Sequence, residues 1–225
     1  MRRLPLLLIA LWATAAEPGA WPREEGETFL SAKGAFLADG DAGDPVFTLY
    51  AERGATERLT LGGKVDRLTE SLAVAESFAR WHFSAPDATW QLAAEAGVAL
   101  TYDQAPETWP TWRDRVSVIA AAHLGRGVPT PVGGGWIDMR LGGVFPLNDE
   151  PRRLKLDATA GVALASGHLL MAELRHEATE AETLTFIGPA AAFSLGERLK
   201  LTAGAFADVS GDLSTKLEIG AWLTF

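Results

Sequence analysis

The chain has 225 residues, 48% of them hydrophobic, no Cys and a formal net charge of −9. This length accommodates one domain with a large buried or lipid-facing surface. The absence of Cys excludes disulfides, thiolate metal sites and Cys nucleophiles, and an acidic chain without a basic patch lacks what nucleic-acid binding requires.

Arg2 and Arg3 precede an apolar run from Leu4 to Trp12, and Ala13-Thr14-Ala15-Ala16 places small residues before Glu17. A positive n-region, an apolar h-region and a small-residue cleavage site make a secretory signal peptide. The alternative, a membrane anchor, needs about 20 apolar residues to cross as a helix, and this run is shorter. Residues 1–16 are therefore expected to be removed after Ala16, leaving 17–225 as one domain. The removed segment carries two of the 20 basic residues and none of the 29 acidic ones, so the mature chain has 18 against 29 and a net charge of −11.

Charges or turn residues interrupt every later apolar stretch, so a membrane-crossing form of this chain is a closed barrel. Alternation of apolar and polar residues predicts twelve strands, near 27–37, 45–53, 57–66, 71–83, 88–101, 115–125, 135–145, 152–164, 168–178, 182–194, 198–209 and 212–225. Leu59, Leu61 and Val65 oppose Thr60, Lys64 and Asp66; Val116, Val118 and Leu124 oppose Ser117 and His123; Ile137, Met139 and Leu141 oppose Asp138 and Arg140. Leu154, Leu156 and Val162 oppose Lys155 and Asp157, and Leu199, Leu201 and Val209 oppose Lys200 and Asp208. The last segment sets Leu213, Leu217, Ile219, Ala221, Leu223 and Phe225 against Lys216, Glu218 and Trp222. Period-two alternation with charges on one face is the mark of a barrel strand with lipid outside and a polar interior. A soluble β-sandwich also alternates and is the alternative. The expected fold is all-β, a transmembrane antiparallel up-and-down barrel of about twelve strands, with ten as the other count.

With the N-terminus periplasmic, the longest loop, Tyr102 to Asp114, falls outside, as barrels of this kind require. Arg126 to Gly134 is then drawn as an unusually long periplasmic turn, although its Gly133-Gly134-Gly135 run leaves the start of the next strand open. Trp81, Phe83 and Trp90 flank one periplasmic turn and Phe36 and Phe145 lie near external strand ends, where aromatic girdles belong.

The C-terminal Trp222-Leu223-Thr224-Phe225, with Leu217, Ile219 and Ala221 at alternate positions before it, resembles the closing-strand signal of Gram-negative outer-membrane barrel proteins. The resemblance implies an outer-membrane location and partnership with the outer-membrane assembly machinery, which reads the terminal Phe in that superfamily. Outer-membrane lipid and lipopolysaccharide are the surroundings it implies. Gly19-Ala20-Trp21-Pro22-Arg23-Glu24-Glu25-Gly26-Glu27 loosely resembles the opening segment of proteobacterial barrels, transporters among them.

The interior-facing candidates are Lys64, Arg80, Arg140, Lys155, Arg175, Lys200 and Lys216 with Glu76, Glu95, Asp138, Asp157, Glu173 and Glu218. Channels tuned for one charge show a ring of one sign, and here the signs nearly balance. Two readings follow: a passive channel for small neutral or zwitterionic solutes, or a structural or adhesive barrel filled with paired charges. External loops carry Asp39, Asp41 and Asp44, Asp103, Glu107 and Asp114, and Asp149 and Glu150; they lack the EF-hand pattern, so no metal or cofactor is expected. A lipid-modifying enzyme is the minority reading. Of His82, His123, His168 and His176, the last lies among Glu173, Arg175 and Glu177, but alternation sends those three inward and His176 outward. No catalytic residue is therefore expected.

Overall fold

The computed structural model describes residues 19–37, 45–69, 72–103, 115–148, 151–211 and 214–225. The expected signal segment and the loop carboxylates Asp39, Asp41, Asp44, Glu107, Asp114, Asp149 and Glu150 lie outside the described residues. The strands are β1 (Thr28–Leu37), β2 (Val46–Thr56), β3 (Leu59–Arg67), β4 (Leu72–His82), β5 (Trp90–Asp103), β6 (Val116–Thr130), β7 (Gly133–Pro146), β8 (Arg153–Ala163), β9 (Leu169–Ala178), β10 (Thr183–Ser194), β11 (Leu199–Asp208) and β12 (Thr215–Thr224). Each pairs antiparallel with its neighbours in sequence, and β1 pairs with β12, so the sheet closes into a twelve-stranded barrel. The count of ten is excluded.

Contacts between strands that are not neighbours in the sheet identify the inner face. Arg80 of β4 meets Glu52 of β2, Arg140 of β7 meets Glu95 of β5, and Arg175 of β9 meets Glu218 of β12. The opposite face carries Leu49, Leu61, Leu100, Ile137, Leu141, Leu154, Ile187, Leu201 and Ile219, all exposed. An apolar coat of this extent is far larger than the patches a soluble protein exposes, and a hydrocarbon surrounding accounts for it. Closure is what makes this tolerable in lipid, because each strand's N–H and C=O groups find partners along both edges.

The rim at which β1 begins is here the near rim, and the opposite one the far rim. Exposed Trp81, Phe83, Trp90, Phe193 and Phe225 lie toward the near rim, and Phe36, Phe47 and Tyr102 toward the far rim. Arg126 stacks over Trp90, its guanidinium carbon 4.9 Å from the ring centre. These are two girdles of the kind that mark membrane interfaces.

The connection expected to be long, Arg126 to Gly134, is instead a two-residue turn at Pro131 and Val132. β6 runs on to Thr130 and β7 starts at Gly133, pairing Thr130 with Gly133 and Pro129 with Gly134. Glycines have no side chain with which to display alternation, which hid this extension. Pro129 is tolerated because β5 starts at Trp90, opposite Arg126, so β6 beyond that point has only one partner. Gly133 holds a φ of 155°, and a Cβ there would lie 1.9 Å from the Ala163 carbonyl oxygen, so the turn requires glycine.

Candidate functional site: the barrel interior

Arg80 is the centre of the near half. Register places it beside Glu95 on β5 and Thr60 on β3. Thr60 and the next inward residue of β3, Gly62, are small, so the Arg80 guanidinium reaches past β3 to Glu52. Its Nη1 donates to Glu52 Oε1 at 2.6 Å, and its Nε and Nη2 donate to Glu95 Oε2 at 3.1 and 2.7 Å. Glu52 also accepts from Arg23 Nε at 2.8 Å and from the Tyr50 hydroxyl. Glu95 accepts from Arg140 Nη2 at 2.9 Å and stands 3.2 Å from His123 Nε2. Arg80 and Glu52 are each 2% exposed. Isolated charges would be prohibitive at this burial, and the chain of alternating signs is what makes them tolerable.

The segment ahead of β1 folds inward against this network. Residues 19–27 form a strap that crosses the near mouth from β1 and β2 to β6 and β7. Its base is backbone pairing: Gly26 N–H donates to the Gly54 carbonyl at 2.9 Å, and Gly54 N–H to the Glu27 carbonyl at 3.0 Å. Gly26 turns the chain there with a φ of 84°. Arg23 then caps Glu52, its guanidinium 4.4 Å from the centre of the Phe29 ring. Trp21 lies over Gly125, where a Cβ would come within 2.7 Å of the indole. At the tip, Ala20 N–H donates to Asp138 Oδ2 at 2.8 Å, and the Gly19 carbonyl accepts from Arg80 Nη1 at 3.3 Å. The Ala20 carbonyl lies 3.0 Å from His82 Nδ1, which must therefore carry the proton; His82 Nε2 then accepts from the Thr60 hydroxyl at 3.2 Å. Ala20 is completely buried.

The remaining area of the near mouth is filled by an apolar cluster. Phe29, Trp222, Leu169, Met171 and Ala192 are buried together, with Tyr50, Trp136, Ala163 and Ala190 packed around them. Phe29 and Trp222 meet at 6.1 Å between ring centres. Strap and cluster together bury Ala20, Phe29, Met171 and Trp222 at this end.

The interior is wetter toward the far rim. Glu218 is met by Arg175 at 2.6 Å, Lys216 at 3.1 Å and Lys33 at 3.2 Å, while Arg175 also holds Glu173. Arg175 lies over Phe206 and Lys216 over Phe186, at 4.6 and 4.2 Å. Elsewhere on the inner wall Lys64 bridges Asp66 at 2.7 Å and Glu76 at 3.6 Å, Lys155 meets Glu177 at 3.2 Å, and Arg140 meets Asp157 at 3.6 Å. The Asp157 side chain is 47% exposed and the Lys33, Lys64, Lys155 and Arg175 side chains about a quarter, so water reaches this half. Lys200 stands on the same inner face near Trp222, its register partner. All thirteen residues taken from alternation as interior-facing stand on the inner register, while Leu217, Ile219, Ala221, Leu223 and Phe225 stand on the outer one.

Glu52, Tyr50, His82 and His123 belong to the near network, and Lys33, Asp66 and Glu177 to the wet half, though none figured among the interior candidates. Their parity was available; the identity of their neighbours was not, because that depends on register and on the strap. His176 bonds Thr185 across the outer face, Nδ1 to Oγ1 at 2.9 Å, away from Glu173, Arg175 and Glu177. Those groups do not converge on a reactive point. No group of three or more His, Asp or Glu among the described residues is placed to hold a metal.

A closed antiparallel barrel with a hydrocarbon-compatible exterior, aromatic girdles and a charged interior defines the class: this chain has the fold of Gram-negative outer-membrane barrels. Among solved structures it is similar to a KdgM porin, with a TM-score of 0.63 at 11% identity, and to a KdgM porin in complex with disordered oligogalacturonate, with a TM-score of 0.64 at 10% identity. Each similarity covers 88% of this chain and 99% of the porin. No protein-family model and no curated protein matches the chain.

Proposed function

We propose that this chain is a passive outer-membrane channel for small polar solutes, with its near rim in the periplasm and its periplasmic mouth closed in the state described. The observation that carries this reading is the contrast between the two halves of the interior. In the far half Asp157, Lys33, Lys64, Lys155 and Arg175 keep partial exposure beside buried Glu173, Glu218 and an apolar cluster of Val74, Ala99 and Ile119, whereas at the Arg80 layer nine residues that belong to no strand of the wall pack against fully buried charges. Partly hydrated charges lining the inner wall are what a channel for polar solutes presents. The oligogalacturonate of the similar porin is an acidic ligand, and the nearly balanced signs here give no ground for assigning it to this chain.

Export by a signal peptide cleaved after Ala16, insertion guided by the assembly machinery through the outward row ending at Phe225, and contact with lipopolysaccharide and phospholipid through the apolar belt complete the proposal. The test is planar-bilayer recording with refolded protein. Discrete conductance steps are expected from the full chain, more often from a chain lacking residues 19–26. Silence from both, with folding verified by heat-dependent gel mobility, overturns the channel reading in favour of a filled structural barrel.

A further inference from the structure

The strap is held differently from everything around it. Each wall strand is bonded along both edges, whereas residues 19–27 have backbone pairing, among the described residues, only at Gly54 and the local Glu24–Glu27 turn. Further in, the strap depends on single polar contacts: Arg23 to Glu52, Ala20 N–H to Asp138, and the Gly19 and Ala20 carbonyls to Arg80 and His82. Segments with few bonds open at lower free energy than the elements that frame them.

What the strap contributes to its seat is also specific. It offers one guanidinium and one N–H, each to a carboxylate. With the strap seated, Glu52, Glu95, Asp138 and Asp157 face Arg23, Arg80 and Arg140. Withdrawing it takes Arg23 out of the seat together with its strap partner Glu27 and the exposed Glu24 and Glu25; among the wall groups named, four carboxylates then face two guanidiniums, and the Asp138 oxygen that Ala20 N–H had occupied is freed. A constriction with surplus carboxylates favours cations over anions.

We propose that residues 19–27 are a displaceable plug whose Arg23 side chain is a tethered cationic occupant of the Glu52 seat, and that the vacated seat passes and briefly binds small organic cations bearing N–H donors. Guanidinium compounds are the class that reproduces the Arg23 contact with Glu52, since a planar N–H fork matches a carboxylate. This rests on the channel reading and adds its gate and its selectivity.

Four variants of the full chain test it in planar bilayers. Deleting residues 19–26 removes the plug. Gly54→Val dislodges its base without touching a charge, because even a Cβ there would lie 2.0 Å from the Glu24 carbonyl oxygen. Arg23→Glu sets like charges together at Glu52. Each is expected to raise the open fraction by roughly tenfold or more, the population shift expected when one closing contact is lost. The fourth variant, Gly19→Cys with Asp138→Cys, locks the plug. A Cβ on Gly19 would stand 2.8 Å from Asp138 Cγ, which brings the two Cβ atoms near the spacing of about 3.5–4.5 Å that disulfides span. The chain has no other Cys to compete. Oxidised, this variant should stay closed; reduced, it should open, and the cycle should repeat.

In the deletion variant the reversal potential across a KCl gradient should show potassium passing in preference to chloride. Methylguanidinium should block that current transiently, and adding Glu52→Gln and Asp138→Asn should abolish both effects. Conducting variants with the wild-type open fraction, and no response to reduction, overturn the plug while leaving the channel standing. Chloride preference, or block untouched by the two neutralisations, overturns the cation seat. Silence from every folded variant removes the channel reading and this proposal with it.

Discussion

Replacing Arg80 by Met is the most demanding test of the interior network. Met keeps much of the buried stem volume and deletes the guanidinium that donates to Glu52, Glu95 and the Gly19 carbonyl. Removing one partner of a buried ion pair costs about 3–5 kcal/mol, because the surviving charge is left in a dry site. Here both survivors keep other donors: Glu52 retains Arg23 at 2.8 Å and Glu95 retains Arg140 at 2.9 Å. The expected loss is therefore at the low end, about 3 kcal/mol of unfolding free energy. Denaturant unfolding in phospholipid vesicles, followed by tryptophan fluorescence, measures it. Glu52→Gln added to Arg80→Met should cost less than the two single losses together, with a coupling of about 0.5–3 kcal/mol, as expected for residues in one network. An Arg80→Met protein within about 0.5 kcal/mol of wild type, the range of an ordinary surface change, would refute the description of this layer as a dry, mutually dependent charge chain.

Three further outcomes follow from other parts of the barrel. Leu141 is exposed at mid-strand on the outer face, so Leu141→Arg should destabilise the inserted barrel by about 2–4 kcal/mol, as a charge at the bilayer midplane does; the same unfolding assay reads it, and a neutral effect would contradict the lipid-facing assignment. Phe225 closes the seam through backbone alone, its N–H on the Thr28 carbonyl at 3.0 Å and its carbonyl on Thr28 N–H at 2.7 Å. Phe225→Ala should accordingly lower the amount inserted in outer membranes while leaving the unfolding midpoint unchanged, and the reverse pattern would assign the ring to stability instead of assembly. Gly62 faces Phe78, and a Cβ there would fall 2.2 Å from the ring, so Gly62→Ala should cost about 1–3 kcal/mol by overpacking, seen as an earlier loss of the compact gel form on heating.

The strands were legible because a barrel wall imposes the simplest periodicity a chain can carry. Lys64, Asp138, Lys155 and Glu218 fall on the inner face by parity alone, and parity survives errors of a residue or two at strand ends. Height and neighbourhood are another matter. That Arg80 joins Glu52 across β3 depends on Thr60 and Gly62 being small, and that His82 meets Ala20 depends on a segment with no period at all. The strap could not be read from Gly19 to Glu27, since Trp-Pro-Arg-Glu-Glu-Gly is consistent with any solvated leader. Its place is dictated by partners contributed from β2, β4 and β7. The β6–β7 turn is hidden in the sequence for a related reason: three consecutive glycines carry no facing information, and only pairing shows that Gly133 to Gly135 are strand.

The seam between β1 and β12 differs in kind from every other pairing in the barrel. All the others join successive strands, so each arises as a hairpin from residues already near one another. The seam brings Thr28 to Phe225, nearly the full length of the chain apart. Contacts of such separation form slowly, because the entropy of closing the loop must be met before any of them is gained. Until then β1 and β12 each present a row of unpaired N–H and C=O groups, the template on which a second chain can add. Whether a given molecule becomes a ring is thus decided by a race between ends of one chain and edges of two, a race that dilution favours and crowding in the membrane opposes.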